Sequence, residues 1–200
     1  MAIHYPNGRK FVPDTNDKPV ARGNSQSNRG MSLENELNLA NQYYLNRGIA
    51  NIHKKPTPIQ IVNVDYPKRA AAKITEAYFR QASTTDYNGI YQGHYIDFDA
   101  KETTSLTSFP LSNVHEHQVT HLRDIVNQGG WAFFIIRFSK LSETYVIKAS
   151  LLIAYWDQQA THRKSIPYVD IATNGQLIEQ NIMPTLPYLK AVDRLMLANH

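Results

Sequence analysis

Asp86, Asp99 and Lys101 are the residues of this 200-residue chain whose types and spacing point most directly to chemistry. They lie in the run Thr84-Thr85-Asp86-Tyr87-Asn88-Gly89-Ile90-Tyr91-Gln92-Gly93-His94-Tyr95-Ile96-Asp97-Phe98-Asp99-Ala100-Lys101. Aromatic and β-branched residues flank a Gln-Gly pair, which reads as a β-hairpin. With Gln92 and Gly93 as the turn, cross-strand partners have numbers summing to 185, and Asp86 falls directly opposite Asp99. Strand alternation then puts Lys101 on the face of Asp99. Facing like charges destabilise a sheet. Two such carboxylates beside a lysine suggest a hard cation such as Mg²⁺, held by one or two carboxylates plus waters and substrate phosphate. The competing reading is a solvated polar face of an ordinary hairpin, which Asn88 and Asp97 would share.

These side chains need elements to hold them. Ser32 caps an expected helix from Leu33 to about Asn46, with Leu33, Leu37, Ala40 and Tyr44 as its buried stripe and Gly48 as its end. Ile59 to Val64 alternates as a strand. The stretch from Tyr66 to Phe79 is ambiguous: Pro67 bars a regular strand there, and Ala70-Ala71-Ala72 favours helix. After the hairpin, Pro110 and Ser112 introduce a helix over about 113–128 that Gly129-Gly130 terminates. Trp131 to Phe138 is nearly all apolar, as expected of a strand buried on both faces. Thr144 to Lys148 reads as a further strand, Ala149 to Trp156 as a short helix, and Tyr188 to Ala198 as a last helix. Strand 94–102, helix 113–128 and strand 131–138 form a βαβ crossover, which requires parallel strands. The expected fold class is α/β, a mixed sheet flanked by helices.

Composition narrows the function classes. No cysteine is present, which excludes disulfides, thiolate metal sites and cysteine nucleophiles. No apolar run approaches a membrane span, and Met1 to Pro6 lacks the apolar stretch of a signal peptide. A cytoplasmic protein fits best. The net charge is only +4, but its distribution is uneven. Residues 1–30 carry Arg9, Lys10, Lys18, Arg22 and Arg29 against Asp14 and Asp17, with few large apolar residues, and read as a flexible basic tail. Residues 47–81 carry Arg47, Lys54, Lys55, Lys68, Arg69, Lys73 and Arg80 against Asp65 and Glu76. Interleaved with Tyr66, Tyr78 and Phe79, they suit a nucleic-acid surface. His117 and His121 share a helix face at the spacing of zinc ligands, but Gln118 stands where a zincin needs Glu, and no third ligand is evident.

A helix bearing a glutamate, a hairpin with Asp and then (Asp/Glu)-x-Lys, and a crossover helix and strand together resemble the PD-(D/E)xK nuclease core. Longer strings sharpen the likeness: Gly30-Met31-Ser32-Leu33-Glu34, Asp65-Tyr66-Pro67-Lys68-Arg69 onward through Glu76-Ala77-Tyr78-Phe79, Ser83-Thr84-Thr85-Asp86-Tyr87-Asn88-Gly89, Asp99-Ala100-Lys101-Glu102-Thr103 and His117-Gln118-Val119-Thr120-His121-Leu122. From about Gly30 onward the chain resembles the RecU-type Holliday-junction resolvases. The resemblance implies a restriction-endonuclease-like core in residues 31–200 with a stalk inserted at about 54–80. It implies a homodimer that binds four-way junction DNA in recombination and repair and nicks two strands with Mg²⁺ or Mn²⁺. RecA recombinase and the junction-migration helicase are the implied partners.

By the same resemblance, Asp86 and Asp99 hold the metal with Thr84 and Gln118 beside them, and Lys101 orients water or stabilises the developing anion. Glu34 matches the family's extra acidic residue, with Glu36 as a competitor. Gln118 is placed to hydrogen-bond water on the metal. Arg29, Lys54, Lys55, Lys68, Arg69, Lys73, Arg80, Tyr66 and Phe79 are the expected DNA contacts. Asp99 stands where Glu is frequent in the wider superfamily, which makes Asp97 a candidate helper. The alternative is a DNA-binding module that cuts nothing.

Overall fold

The computed structural model describes residues 31–65, 67, 72–79 and 84–197. The basic tail and Arg29, Tyr66, Lys68, Arg69 and Arg80 lie outside the described residues, as does the side chain of Phe79.

Helix α1 runs Leu33–Asn46, and the Ser32 hydroxyl accepts the Asn35 N–H at 3.3 Å. Leu33, Leu37, Ala40 and Tyr44 are buried, as the helical spacing predicts. Gly48 adopts φ +64 just after the helix, a conformation that suits glycine. A strand not foreseen follows, β1 at Ala50–Lys54, in which only Ala50 and Ile52 are buried. Strands β2 (Ile59–Asp65) and β3 (Lys73–Phe79) pair antiparallel as a separate two-stranded ribbon with a register irregularity around Asn63. Lys73 onward is therefore strand, not helix. Its Ile74, Thr75, Tyr78 and Phe79 are β-branched or aromatic, and pairing with β2 outweighs the preference of the preceding alanines.

The hairpin forms in the expected register. Strands β4 (Tyr87–Tyr91) and β5 (His94–Thr103) pair Tyr87 with Phe98 and Tyr91 with His94. Gln92 at φ 49 and Gly93 at φ 80 make the turn, both left-handed as a tight hairpin requires. Strand β6 (Ser108–Pro110) and a 3₁₀ turn at Leu111–Asn113 take up the residues expected to introduce the second helix, and the turn reaches its expected first residue. Helix α2 therefore begins later, at Glu116, and ends at Asn127. Its start is set by a capping box between His115 and Gln118. Strand β7 (Trp131–Phe138) runs parallel to β5, from Ile96 opposite Trp131 to Thr103 opposite Phe138.

Strand β8 (Glu143–Lys148), helix α3 (Ala149–Gln158), strand β9 (Ser165–Pro167), helix α4 (Tyr168–Asn174), strand β10 (Gln176–Leu177) and helix α5 (Tyr188–Leu197) complete the order. The main sheet has the order β1-β4-β5-β7-β8-β10 and is mixed, with β6 and β9 pairing apart from it. One face packs Ile96, Phe98 and Phe133 against Leu37 of α1 and Tyr188 of α5. The other packs Phe134, Ile136 and Phe138 with Leu122 of α2 and Leu152 of α3. The even-numbered side chains of β5 enter the first layer. The odd-numbered Asp97 and Asp99 face α2, whose Gln118 and His121 meet them. Among the described residues no helix is long and apolar enough to cross a membrane.

Candidate active site

Asp99 sits in the middle of β5, between β4 and β7, and is fully buried. Its Oδ1 accepts Gln118 Nε2–H at 2.9 Å. Its Oδ2 lies 2.7 Å from Lys101 Nζ as an ion pair, without hydrogen-bond alignment. Burial pushes the Asp99 carboxyl up to about 7, and the nearby charge of Asp86 adds to this, while Lys101 opposes it. Asp86 stands just before the first paired residue of β4, and its Oδ2 accepts the Ala100 N–H at 3.2 Å. The hairpin thus brings the two carboxylates together, with Lys101 beside Asp99.

This donor set fits a hard divalent cation. Two carboxylates crowd one another, and a buried oxygen of one lacks a hydrogen bond. A cation bound by oxygen ligands would relieve both. Asp86 and Asp99 would be the residues that hold it.

Asp86 also lines a cleft of about 180 Å³ with Ser32, Glu34, Lys54, Ala100 and Glu102. Glu34, in the first turn of α1, pairs there with Lys54 at 2.5 Å, and both remain exposed. Glu36 is excluded as a site residue, because it is buried and bound to Arg137. Glu102 is a further residue of the cleft: it accepts the Leu33 N–H at 3.2 Å and lies 3.5 Å from Arg137, joining α1 to β5 and β7. Its one signal in sequence is its place beside Lys101. Asp99, Lys101 and Gln118 are not among the residues lining this cleft. Asp86 alone belongs to both groups.

The amide of Gln118 is committed at both ends. Oε1 accepts the His115 N–H at 3.1 Å in the helix cap, and Nε2 binds Asp99. Thr84 is exposed, and its hydroxyl accepts Lys55 Nζ–H at 3.1 Å.

Lys55 departs from the expectation of a DNA contact. Its side chain is 13% exposed, and Nζ lies 2.8 Å from Asp97 Oδ2 and 2.5 Å from Thr85 Oγ1. An amine enclosed this way has no face free for a phosphate. Lys54 and Lys73 remain at the surface. Asp97 is likewise not available as a helper ligand, since Lys55, Thr85, Tyr95 and His121 all bind its carboxylate. His121 Nε2 is 3.0 Å from Asp97 Oδ2, and the His117 ring stacks on His115, so the histidine pair has other partners than zinc. Among the described residues no three His, Asp or Glu side chains group as metal ligands. The two carboxylates would need water or phosphate to complete a shell.

Comparison with known proteins places the chain in a family. A family model described as Recombination protein U matches residues 28–194. The Holliday junction resolvase RecU of Ligilactobacillus salivarius (strain UCC118) is 53% identical over 213 aligned residues, covering 100% of both chains. Its namesake from Limosilactobacillus reuteri (strain DSM 20016) is 56% identical over 202 residues, covering 99% of each. That of Geobacillus kaustophilus (strain HTA426) is 54% identical over 199 residues, covering 98% of each. Among solved structures, Archaeoglobus fulgidus Hjc, a Holliday junction resolvase from an archaeal hyperthermophile, matches with TM-score 0.37 and 8% identity, covering 70% of this chain and 93% of that one. That likeness is too slight to argue from.

Proposed function

The chain belongs to the RecU family of Holliday junction resolvases, which are nucleases, and on that premise we propose that it cuts four-way DNA junctions by paired, divalent-metal-dependent nicks. The observation that carries the metal reading is the buried Asp99 facing Asp86, with Lys101 at 2.7 Å. A bound Mg²⁺ or Mn²⁺ supplies Lewis-acid activation of water and relief of charge on the phosphodiester oxygens. Asp86 and Asp99 would hold it, and Thr84 would offer a hydroxyl at the exposed rim. Gln118 fixes the orientation of Asp99 with one N–H of its Nε2 and would have only the second for water at the site. Lys101 presents a compact positive charge to the anion that develops on the phosphoryl group. Lys54, exposed at the mouth of the cleft where it pairs with Glu34, would meet a DNA phosphate.

Two copies acting on one junction would give the paired nicks. The β2–β3 ribbon would be the stalk that reaches the junction centre, with the basic residues at 68–69, and Arg29 would be a further DNA contact. RecA recombinase and the junction-migration helicase remain proposed partners, and the cytoplasm the proposed location.

The test is a labelled four-way junction incubated with and without Mg²⁺. Symmetric nicks that appear only with metal, and vanish in Asp86→Asn, support the reading. A gel shift with no cutting under any metal would favour a binding module instead.

A further inference from the structure

Asp97 lies two residues before Asp99 on the same face of β5, and it is fully buried. Four groups take its two oxygens. The Thr85 hydroxyl donates to Oδ1. Lys55 Nζ at 2.8 Å, Tyr95 Oη at 2.9 Å and His121 Nε2 at 3.0 Å reach Oδ2. Burying a charge is costly unless it is paired and hydrogen-bonded, and here every partner is supplied. The mechanism proposed above uses none of these contacts directly.

Their geometry converges on one short segment. Thr84, Thr85 and Asp86 precede the β4 ladder, whose pairing with β5 begins only at Tyr87. Lys55 grips all three. Its backbone N–H donates to the Asp86 carbonyl at 2.8 Å. Its Nζ reaches Thr84 Oγ1 at 3.1 Å and Thr85 Oγ1 at 2.5 Å. Asp97 holds the other side of Thr85 and the amine of Lys55 together. The segment that ends in Asp86 is therefore held by a buried ion pair and a hydroxyl in addition to the backbone bond from Lys55 to Asp86.

We propose that Lys55, Asp97 and Thr85 form a clamp that positions Asp86 for the metal, so that Lys55 is a positioning residue and not a DNA contact. The inference rests on the reading that Asp86 and Asp99 hold a divalent cation. It departs from what the sequence suggests of Lys55, which stands in a basic stretch beside Lys54. Lys54 faces the cleft and Lys55 faces the interior. Neighbouring lysines in the chain thus serve binding and positioning separately.

The test uses the full-length protein and Mn²⁺ alone as the probe, with free Mn²⁺ followed by electron paramagnetic resonance. Thr85→Val keeps the shape and removes the hydroxyl, and Thr85→Ser restores it. Lys55→Met keeps the length of the side chain and removes the amine. Loss of a partner that orients a ligand weakens metal binding by about 10- to 100-fold. That loss is expected in Thr85→Val and Lys55→Met, with near wild-type binding in Thr85→Ser. The Mn²⁺ concentration for half-maximal cutting should rise in step, while the junction gel shift in chelator stays unchanged. Lys55→Met leaves Asp97 short of a buried partner and can fail to fold, in which case the Thr85 pair decides alone. Wild-type Mn²⁺ affinity in Thr85→Val overturns the clamp and leaves the metal site standing. Lys55→Met with normal Mn²⁺ binding and a lost gel shift overturns it too, returning Lys55 to the DNA contacts. Wild-type Mn²⁺ binding in Asp86→Asn overturns the metal reading and the clamp with it.

Discussion

Gln118 Nε2 donates to Asp99 Oδ1 at 2.9 Å while Gln118 Oε1 accepts the His115 N–H at 3.1 Å. One amide thus ties the start of α2 to the buried carboxylate of β5. Removing it in Gln118→Leu opens the capping box and leaves Asp99 short of its hydrogen bond. A buried group left unpaired costs about 1–3 kcal/mol, which chemical denaturation of the metal-free protein can read. Gln118→Glu keeps the cap acceptor but opposes the charge of Asp99, so its loss of stability should be larger at pH 8 than at pH 5. Equal losses at both pH values would detach Gln118 from Asp99.

Asp86→Asn removes a proposed metal ligand and little else. Cutting should fall by at least about two orders of magnitude, the scale seen when one group stabilising a developing charge is lost. Junction binding in chelator should persist. Lys101→Ala should cut as poorly yet still bind Mn²⁺, because in the proposed mechanism its amine acts on the substrate and not as a ligand to the cation. Turnover of Lys101→Ala that recovers fully at high protein concentration would reassign the lysine to DNA binding.

The Asp99 carboxyl sits at about 7 against an ordinary 3.8. Between those values the folded metal-free protein binds a proton that the unfolded chain has released. Stability in chelator should therefore fall as the pH rises from about 4 and level off above about 7. A carboxyl that titrates one pH unit above its ordinary value changes stability by about 1.4 kcal/mol, so even part of this displacement is measurable. Asp99→Asn should flatten the curve. A cation must displace the same proton, so Mn²⁺ affinity should climb up to about tenfold per pH unit below 7 and then plateau. Denaturation curves and Mn²⁺ titrations across this range check both slopes, and a pH-independent affinity would count against Asp99 as a ligand.

How far the sequence could be read depended on whether local pattern decides the outcome. The hairpin register followed from Gln92 and Gly93, whose positive φ values set a two-residue turn and hence every pair behind it. Ser32 and Gly48 marked both ends of α1. Strand β1 was not legible, because Ala50 and Ile52 are its only buried side chains and alternation needs more. The late start of α2 depends on β6 pairing with β9, more than fifty residues away. Lys54 and Lys55 look alike in the chain, and only a carboxylate 42 residues further on separates them. Asp97 could be placed on the face of Asp99 but not assigned its four partners, since two of them come from outside the hairpin, one from just after β1 and one from α2.

Gly89 carries a prediction about the fold. It pairs with Ile52 of the edge strand β1, and a Cβ there would meet the Asn51 carbonyl oxygen and come 2.6 Å from Ile52 Cα. Both are backbone atoms and cannot turn aside. Gly89→Ala should push β1 off β4 at a cost of about 1–3 kcal/mol or more. Because β1 leads directly into Lys55, Mn²⁺ affinity should fall as well. Thermal melting and the Mn²⁺ titration read the two effects, and an unchanged melting temperature would mean that β1 shifts freely.

The β2–β3 ribbon carries the prediction about substrate choice. Among the described residues it pairs only with itself, and Ile59, Ile61, Val62, Ile74 and Tyr78 are large apolar residues left exposed on it. Two strands alone are marginally stable, and such exposed apolar surface usually marks a contact. A four-way junction crowds phosphates and unstacked bases at its centre, and base stacking on an aromatic ring does not depend on sequence. Replacing residues 68–73 with a Gly-Ser linker should therefore reduce the preference for junction over duplex far more than it reduces Mn²⁺ binding. Tyr78→Ala should show a milder form, through lost stacking. Arg69→Ala should make the log–log salt dependence of binding shallower by about 0.9, the value of one phosphate contact. Lys55→Met provides the internal contrast, because an amine that positions Asp86 leaves the salt slope as it was. A linker variant that keeps the wild-type ratio would remove the ribbon as selector and move that role to the cleft between two subunits.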